Sequence, residues 1–221
     1  MIVRLDDDLW FPDPRNGDDD GLFAVGGDLS VERLLLAYSY GIFPWYAFKY
    51  YKEIHWYCPM DRFVIFPEKI HVSHSMRTLI NSKKYAVSMN ECFEDVIRNC
   101  SSLRYDEEGA WLGERMIEAY TELHRQGLAV SVVVWNGDKL AGGLYGVNIG
   151  YNFFGESMFS LEPSASKLAL IHLAHVMQQS GKGIIDCQLE TPHLKSMGGE
   201  HIPYDEYLEI LGNRIELNKK E

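Results

Sequence analysis

The chain has 221 residues, of which 46% are hydrophobic and 13% aromatic, enough for one globular body or two small domains that share a core. Its formal net charge of −11 argues against a surface coated with phosphate-binding residues and fits a cationic partner better. There is no apolar run of about 18 residues, and the acidic N-terminus lacks the apolar segment of a signal peptide, so we expect a soluble, cytoplasmic protein.

The N-terminal half is predicted to contain short elements separated by turns. The first helix follows Ser30, a plausible N-cap, and ends at Gly41. Further elements are extended pieces at 55–57 and 63–66, a helix opened by Ser73, and a helix after Asn90 with apolar residues at helical spacing. The charged stretch 101–109 is typical of a linker or a mobile loop. We therefore predict an N-terminal domain at 1–105 and a second domain at 106–221.

The second half shows a clearer order of elements. The predicted elements are a helix ended by Gly127, strands at 128–135 and 139–147 joined by Asn136-Gly137, a strand at 151–154, a helix at 164–179, a strand at 184–188 and a helix at 204–211. Helix, antiparallel hairpin, helix, strand and helix is the α+β order of an N-acyltransferase of the GNAT type. The sequence therefore predicts a GNAT-like domain here.

Two segments of this domain carry candidate functional side chains. Glu156 lies between Gly155 and a small polar residue at the end of an apolar strand, where side chains meet open clefts. Asp186 and Gln188 are two apart on the strand predicted at 184–188, so both face one cleft. A lone acid is usually solvated or ion-paired, but Asp186 follows two isoleucines and needs a specific partner or function. For Gln188, satisfaction by neighbouring backbone is an equal alternative.

A series of blocks in one order resembles a known family. The blocks are Gly-Gly-Asp-Leu-Ser at 26–30, Gly-Ile-Phe-Pro-Trp at 41–45, Glu-Gly-Ala-Trp at 108–111, Ala-Tyr at 119–120 with Leu-His at 123–124, Gly-Gly-Leu-Tyr-Gly-Val at 142–147, Gly-Glu-Ser-Met-Phe-Ser at 155–160, Ala-Ser-Lys at 165–167 and Ile-Asp-Cys-Gln at 185–188. From about residue 10 to residue 211 the chain is similar to leucyl/phenylalanyl-tRNA–protein transferases. The resemblance implies an α+β fold, with a small N-terminal α/β domain followed by a GNAT-like acyltransferase domain.

The resemblance also implies an activity. Leu or Phe, less often Met, would move from aminoacyl-tRNA to the α-amino group of an N-terminal Arg or Lys of a protein, marking that protein for degradation. The aminoacyl ester is already activated, and no Ser-His-Asp arrangement is visible, so direct aminolysis is the economical route. We assign Asp186 to polarising Gln188, Gln188 to contacting the attacking amine, and Glu156 to holding the donor's α-ammonium or the acceptor.

Substrate-binding residues are likewise implied by the resemblance. Trp45 and Trp111 would hold the terminal adenosine by stacking, although packing is the commoner role of tryptophan. The walls of the aminoacyl site would otherwise be read simply as core, and they comprise Leu144, Met158, Ser160, Leu170, Leu173 and Ile185. A basic patch in the N-terminal region could bind tRNA or be only a solvated face; it comprises Lys49, Lys52, Lys69, Arg77, Lys83 and Lys84.

The sequence departs from the family at a few positions, and two other functions remain alternatives. Val130 and Val133 occupy places where the family usually has His and an acid, Ala110 replaces a frequent Thr, and 104–106 looks slightly longer than usual.

An acyl-CoA-dependent acyltransferase would normally show a Gly-rich pyrophosphate loop, which is missing after Phe159. A non-catalytic tRNA-binding module would need a stronger basic patch. We expect no metal, because the His and Cys residues show no ligand spacing. We also expect no cofactor, no membrane partner and a monomer.

Overall fold

The computed structural model describes residues 2–45, 53–102, 113–181 and 183–212. The helices of these ranges are α1 (Val31–Ser39), α2 (His74–Asn81), α3 (Phe93–Ser102), α4 (Glu114–Arg125), α5 (Ala165–Ser180), α6 (Pro192–Ser196) and α7 (Tyr204–Leu211). The strands are β1 (Val3–Leu5), β2 (Leu22–Gly26), β3 (Phe43–Trp45), β4 (His55–Tyr57), β5 (Asp61–Ile65), β6 (Ala86–Met89), β7 (Ala129–Asn136), β8 (Lys139–Ile149), β9 (Asn152–Ser160), β10 (Ile185–Asp186) and β11 (Glu200–Pro203). In these ranges, none of the helices combines the length and apolarity that crossing a membrane requires.

The smaller sheet has the order β1-β2-β4-β3 and packs with α1. Helix α1 starts where predicted, because the Ser30 side chain accepts a hydrogen bond from the N–H of Arg33. It ends at Ser39, and Gly41, two residues further on, has a φ of +70°, which favours glycine. A Cβ at Gly41 would lie 2.3 Å from the Tyr207 ring, so the absence of a side chain also lets α7 pack closely against the end of α1.

The larger sheet has the order β11-β5-β10-β9-β8-β7-β6, with helices on both faces. Side chains alternate between the faces: Val133 and Phe154 join the core with α3 and α4, whereas Leu144 and Phe153 join the core with α5. Helix α5 connects β9 to β10, which pair in parallel, and the other pairings of the sheet are antiparallel. This crossover places β10 beside the first part of β9, with Asp186 opposite Phe154.

Most predicted elements are confirmed, and so is the α+β class with a small N-terminal region followed by a larger domain. The hairpin at Asn136-Gly137 joins β7 and β8, with Asn136 opposite Lys139. Strands β1, β2, β3, β6 and β11 and helix α6 were not predicted, and β9 is longer than expected. The predicted domain boundary at residue 105 lies outside the described residues and stays a prediction, although β5 and β6 belong to the larger sheet.

The strand predicted at 184–188 is shorter than expected. Only Ile185 and Asp186 are extended and paired, and Gln188 adopts a φ of +64°. The chain turns here because the N–H of Gln188 bonds the Oδ1 atom of Asp186 at 2.8 Å, which takes the place of a ladder bond. Asp186 and Gln188 therefore do not share one face of a strand, as was predicted. The hydrogen bond between them keeps them together.

Candidate active site

A cleft of about 510 Å³ opens between β3 of the small sheet and the β9, α5 and α6 segments of the larger domain. Most of the predicted catalytic and substrate-binding residues line it: Trp45, Leu144, Glu156, Met158, Ser160, Leu170, Ile185 and Gln188. Because the wall is mainly apolar, a ligand that fills the cleft must be largely apolar as well.

Leu173 and Asp186 do not line this cleft. Leu173 is 2% exposed and packs in the core between α5 and the sheet. Ser166, Leu170 and Leu173 lie on one face of α5, and Leu173, about one turn beyond Leu170, is not part of the cleft wall. The structure gives no support for placing Leu173 in the pocket wall. Asp186 is fully buried beneath the floor, so the expectation that its carboxylate faces the cleft is wrong.

Glu156 is the carboxylate that does reach the cleft, although it is only 8% exposed. Its Oε1 atom accepts a hydrogen bond from the hydroxyl of Tyr38 at 2.7 Å, and its Oε2 atom accepts one from Tyr120 at 2.9 Å. The two tyrosine hydroxyls also contact each other. Burial raises the pKa of Glu156 to about 7, and the hydroxyl donors only partly oppose that rise.

Asp186 is surrounded by donors of a different kind. The Nη2 atom of Arg62 lies 2.6 Å from its Oδ2 atom, and the Nε atom lies 3.0 Å from its Oδ1 atom. The hydroxyl of Tyr207 donates to Oδ2 at 2.7 Å. Arg62 is itself buried, with its guanidinium over the rings of Phe43 and Tyr207. A buried carboxylate thus has a full cationic partner, which removes most of the cost of burying its charge.

Gln188 connects the two carboxylates. Its backbone N–H donates to Asp186, and its side-chain Nε2 atom donates to Oε1 of Glu156 at 3.1 Å. Asp186 therefore positions Gln188 through the backbone and does not touch the amide that it was expected to polarise. With Nε2 directed to Glu156, the amide orientation of Gln188 is determined.

Sequence reasoning missed four residues of this site: Tyr38, Arg62, Tyr120 and Tyr207. Tyr38 was not singled out and Tyr120 stood only in a block of the family resemblance, because nothing in the local pattern distinguishes a buried hydroxyl from a packed ring. The one usable signal was the unexplained Asp186, which required a partner. Val130 and Val133, the departures from the family pattern, pack on opposite faces of the sheet.

His193 is another cleft residue that the sequence did not single out. Its Nε2 atom is buried and has no hydrogen-bond partner among the described residues. Burial, followed by the charge of Lys167, lowers the pKa of His193. The ring is therefore favoured in its neutral form near the α6 end of the cleft.

Part of the predicted substrate surface lies outside the described residues, namely Trp111, Lys49 and Lys52. Arg77 and Lys83 are exposed on α2 and on the turn after it. Lys84 is already paired, because its Nζ atom lies 3.0 Å from Oε2 of Glu162. Lys69 is paired with Glu200. In the ranges the structure describes, no group of three or more His, Cys, Asp or Glu residues could hold a metal ion.

Comparison with known proteins identifies similar chains over nearly the whole length. A model described as leucyl/phenylalanyl-tRNA protein transferase matches residues 64–212, and the model of that family's N-terminal domain matches residues 27–60. A leucyl/phenylalanyl-tRNA–protein transferase of Anaeromyxobacter sp. strain Fw109-5 is 46% identical, covering 97% of this chain and 91% of its own. The protein of the same name from Flavobacterium psychrophilum is also 46% identical, covering 94% of this chain and 98% of its own.

Similarity to solved structures is more distant. A structure described as L-PGS from Bacillus licheniformis superimposes with a TM-score of 0.43 at 11% identity, covering 77% of this chain and 54% of that one. A likeness of this size carries no functional argument.

Proposed function

This chain belongs to the leucyl/phenylalanyl-tRNA protein transferase family, and we propose that it moves Leu or Phe, less often Met, from aminoacyl-tRNA to the N-terminal Arg or Lys of a protein. It is an aminoacyltransferase, and the modified protein would be marked for degradation. The structural observation that carries the proposal is an apolar cleft with one polar pair, Glu156 and Gln188, at its wall.

The apolar part of the cleft suits the donor side chain. Leu144, Met158, Leu170 and Ile185 line it, and a charged aminoacyl group would lose its hydration there without gaining a partner. Trp45, which is 36% exposed at the rim, would offer a ring face to the terminal adenosine. Trp111, outside the described residues, stays a second candidate for this stacking. Ser160 caps the first turn of α5 by accepting from the N–H of Ser166, so it would shape the rim near the ribose.

The reaction requires positioning more than it requires a nucleophilic side chain. The donor is an ester, and the acceptor amine has an ordinary pKa of about 7.7–8.0, so part of it is already neutral near pH 7. Gln188 would contact the attacking amine, and Asp186 would hold Gln188 through its backbone. Glu156 would hold an ammonium group of the donor or the acceptor. Correct placement of two reactants is worth up to about 7–11 kcal/mol of the barrier.

For tRNA, we propose contacts along the basic patch, with Arg77 and Lys83 as exposed members that have no ion pair among the described residues, and Lys49 and Lys52 as further members. Lys84 is a weaker candidate because Glu162 neutralises it. We further propose that the chain acts in the cytoplasm and as a monomer. Size-exclusion chromatography with light scattering tests the monomer, and a dimer mass would contradict it.

The activity is tested by incubating the purified chain with labelled Leu-tRNA and a peptide that begins with Arg, in the absence of CoA. We expect label on the peptide, and none on the same peptide with an acetylated N-terminus. Transfer from acetyl-CoA without tRNA would identify an acyl-CoA enzyme instead. Binding of tRNA with no turnover on either donor would identify a tRNA-binding module.

A further inference from the structure

Glu156, Tyr38 and Tyr120 form a closed ring of three hydrogen-bonding groups at the wall of the cleft. Tyr38 contacts Oε1, Tyr120 contacts Oε2, and the two hydroxyls contact each other. The tyrosines come from α1 and α4, so the ring joins the N-terminal region to the larger domain. Burial, followed by the charge of Glu156, raises the pKa of both tyrosines, so both stay protonated and can donate.

The number of protons in this ring has a chemical consequence. When Glu156 is ionised, the two hydroxyl protons can serve only two of the three contacts. When Glu156 is protonated, three protons serve all three contacts, each group donating once and accepting once. The ring is therefore completed by one additional proton, and that proton can come only from outside it.

The groups around the Glu156 carboxyl are compatible with both its ionised and its protonated form. Its neighbours are the neutral donors Tyr38 and Tyr120, the amide of Gln188 and, farther away, the charge of Asp186, which favours protonation. The cation of that region, Arg62, is bound to Asp186. With a pKa of about 7, Glu156 is partly ionised at neutral pH.

We propose that Glu156 accepts the proton released by the acceptor's α-ammonium, and that Tyr38 and Tyr120 are positioning residues that hold its two carboxyl oxygens before and after the transfer. This inference rests on the proposed aminoacyl transfer and specifies the role of Glu156 in it. Gln188, fixed to the same Oε1 atom, would place the amine beside the carboxylate.

The protons and bonds of the step balance as follows. One proton moves from the α-ammonium to Glu156, and the neutral amine attacks the carbonyl carbon of the ester. The new C–N bond forms as the bond between that carbon and the ribose oxygen breaks. A second N–H proton of the former amine ends on the ribose oxygen, and Glu156 releases the first proton to water. No oxidant, metal or additional reactant is needed.

The test removes one hydroxyl at a time and follows the pH dependence of single-turnover transfer. Each hydroxyl stabilises the ionised carboxylate, so Tyr38→Phe and Tyr120→Phe should raise the pKa of Glu156 and move the acid limb of the rate profile to higher pH by about one unit. The amine's own titration is the same in every variant and cancels in the comparison. The matched control is Tyr204→Phe, which removes a buried hydroxyl bonded to the carbonyl of Tyr40 and should leave the limb unmoved.

A second measurement does not depend on activity. The ¹³C carboxyl resonance of Glu156, assigned by its loss in Glu156→Gln, should titrate near pH 7 in the wild type and at higher pH in both Phe variants. If a Phe variant does not fold, 3-fluorotyrosine at position 38 keeps the ring, strengthens the donor and should move the midpoint to lower pH.

Two results would overturn the inference. One is a Glu156 resonance that titrates below about pH 5 in the wild type, as an ordinary exposed carboxyl would. The other is a set of rate profiles in which the Phe variants are slower at every pH without any shift of the limb, since that indicates a purely structural role. A wild type that transfers nothing from Leu-tRNA would contradict the proposed function instead, and the resonance would still test the ring.

Discussion

Asp186 and Glu156 are carboxylates joined through Gln188, yet they have different surroundings. Asp186 lies against a guanidinium, with its Oδ2 atom 2.6 Å from Arg62. Glu156 is held by two neutral hydroxyls and an amide. Arg62 compensates the charge of Asp186, whereas the donors to Glu156 are neutral and burial raises the pKa of Glu156 to about 7. The comparison teaches that two buried carboxylates differ in their electrostatics because only one of them is bound to a cation.

The largest expected effect is on catalysis when Asp186 loses its charge. Asp186→Asn should lower kcat on the order of 10²–10⁴-fold with KM for both substrates little changed, because the interaction acts mainly in the transition state. Steady-state kinetics between pH 6 and pH 9 measures this. A constant deficit assigns Asp186 to holding Gln188, as its ion pair leads us to expect, and partial recovery near pH 9 would show that it assists deprotonation. Asp61→Asn, an exposed change on β5, is the control and should have little effect.

The second prediction breaks the cationic partner. Arg62→Met should destabilise the protein by about 3–5 kcal/mol, because it leaves the buried charge of Asp186 without a partner. Urea unfolding measures this. Adding Asp186→Asn should restore much of the loss. The matched control is Arg15→Met, since the Arg15–Asp205 pair has the same 2.6 Å separation but is exposed and should contribute less than about 1 kcal/mol. Equal losses from the two variants would contradict the distinction.

The third prediction concerns stability and pH at Glu156. The pKa of Glu156 rises from 4.5 to about 7 on folding, so ionising this carboxyl destabilises the folded state. This loss of stability is absent below pH 4.5 and complete above pH 7. Glu156→Gln should therefore gain stability over the wild type between pH 4 and pH 8, on the order of 3 kcal/mol. Denaturant unfolding at the two pH values measures the change.

Glu162 provides the control, because its pKa is shifted in the opposite direction to that of Glu156. Hydrogen bonds from Asn136 and Lys84 lower the pKa of Glu162 to about 2, so its stabilisation is present above its ordinary pKa and is lost as the pH falls through the folded value. Glu162→Gln should accordingly lose stability relative to the wild type at pH 8, and less so at low pH. The same trend with pH in both Gln variants would contradict the assigned environments.

The fourth prediction applies the comparison to two leucines of α5. Leu170 lines the cleft and Leu173 is core, so Leu170→Ala should change the ratio of kcat/KM for Phe-tRNA and Leu-tRNA by about tenfold or more. Leu173→Ala should leave that ratio unchanged and lower stability by about 2–5 kcal/mol. Kinetics with both donors and thermal unfolding separate the two. An altered ratio in Leu173→Ala would return that residue to the pocket.

The smallest expected effect compares two neighbouring lysines. Lys84 is neutralised by Glu162, and Lys83 has no acidic partner within ion-pair distance in the described ranges. Lys83→Ala should therefore flatten the dependence of log K on log salt for tRNA binding by slightly less than one unit, and Lys84→Ala should do so less. Filter binding at several salt concentrations measures the slopes. An unchanged slope for both would move the tRNA surface elsewhere.

Local sequence patterns predicted much of the fold and the position of the cleft. Ser30 caps α1, Asn136-Gly137 turns the hairpin, and the segment Gly155–Ser160, which forms the second part of β9, brings Glu156 to the cleft. These features depend on residues close together in the chain, so a pattern of a few residues contains the needed information. The run of apolar residues before Asp186 also showed that its carboxylate needed a partner.

Only the tertiary structure decided which partner each carboxylate has. Arg62 is 124 residues from Asp186 in the chain, and Tyr38 is 118 residues from Glu156. A buried arginine and a packed tyrosine look like a surface charge and a core ring in the sequence, because a side chain's hydrogen-bond partner is selected by how distant elements pack. By itself the sequence predicted most of the helices, the hairpin and the two acids of the site, Glu156 and Asp186. The packing of α1, α4 and β5 around β9 and β10 decided that Asp186 is paired with a cation and that Glu156 is bound by neutral hydroxyls. Burial and hydrogen-bond partners depend on such contacts between elements that are distant in the chain.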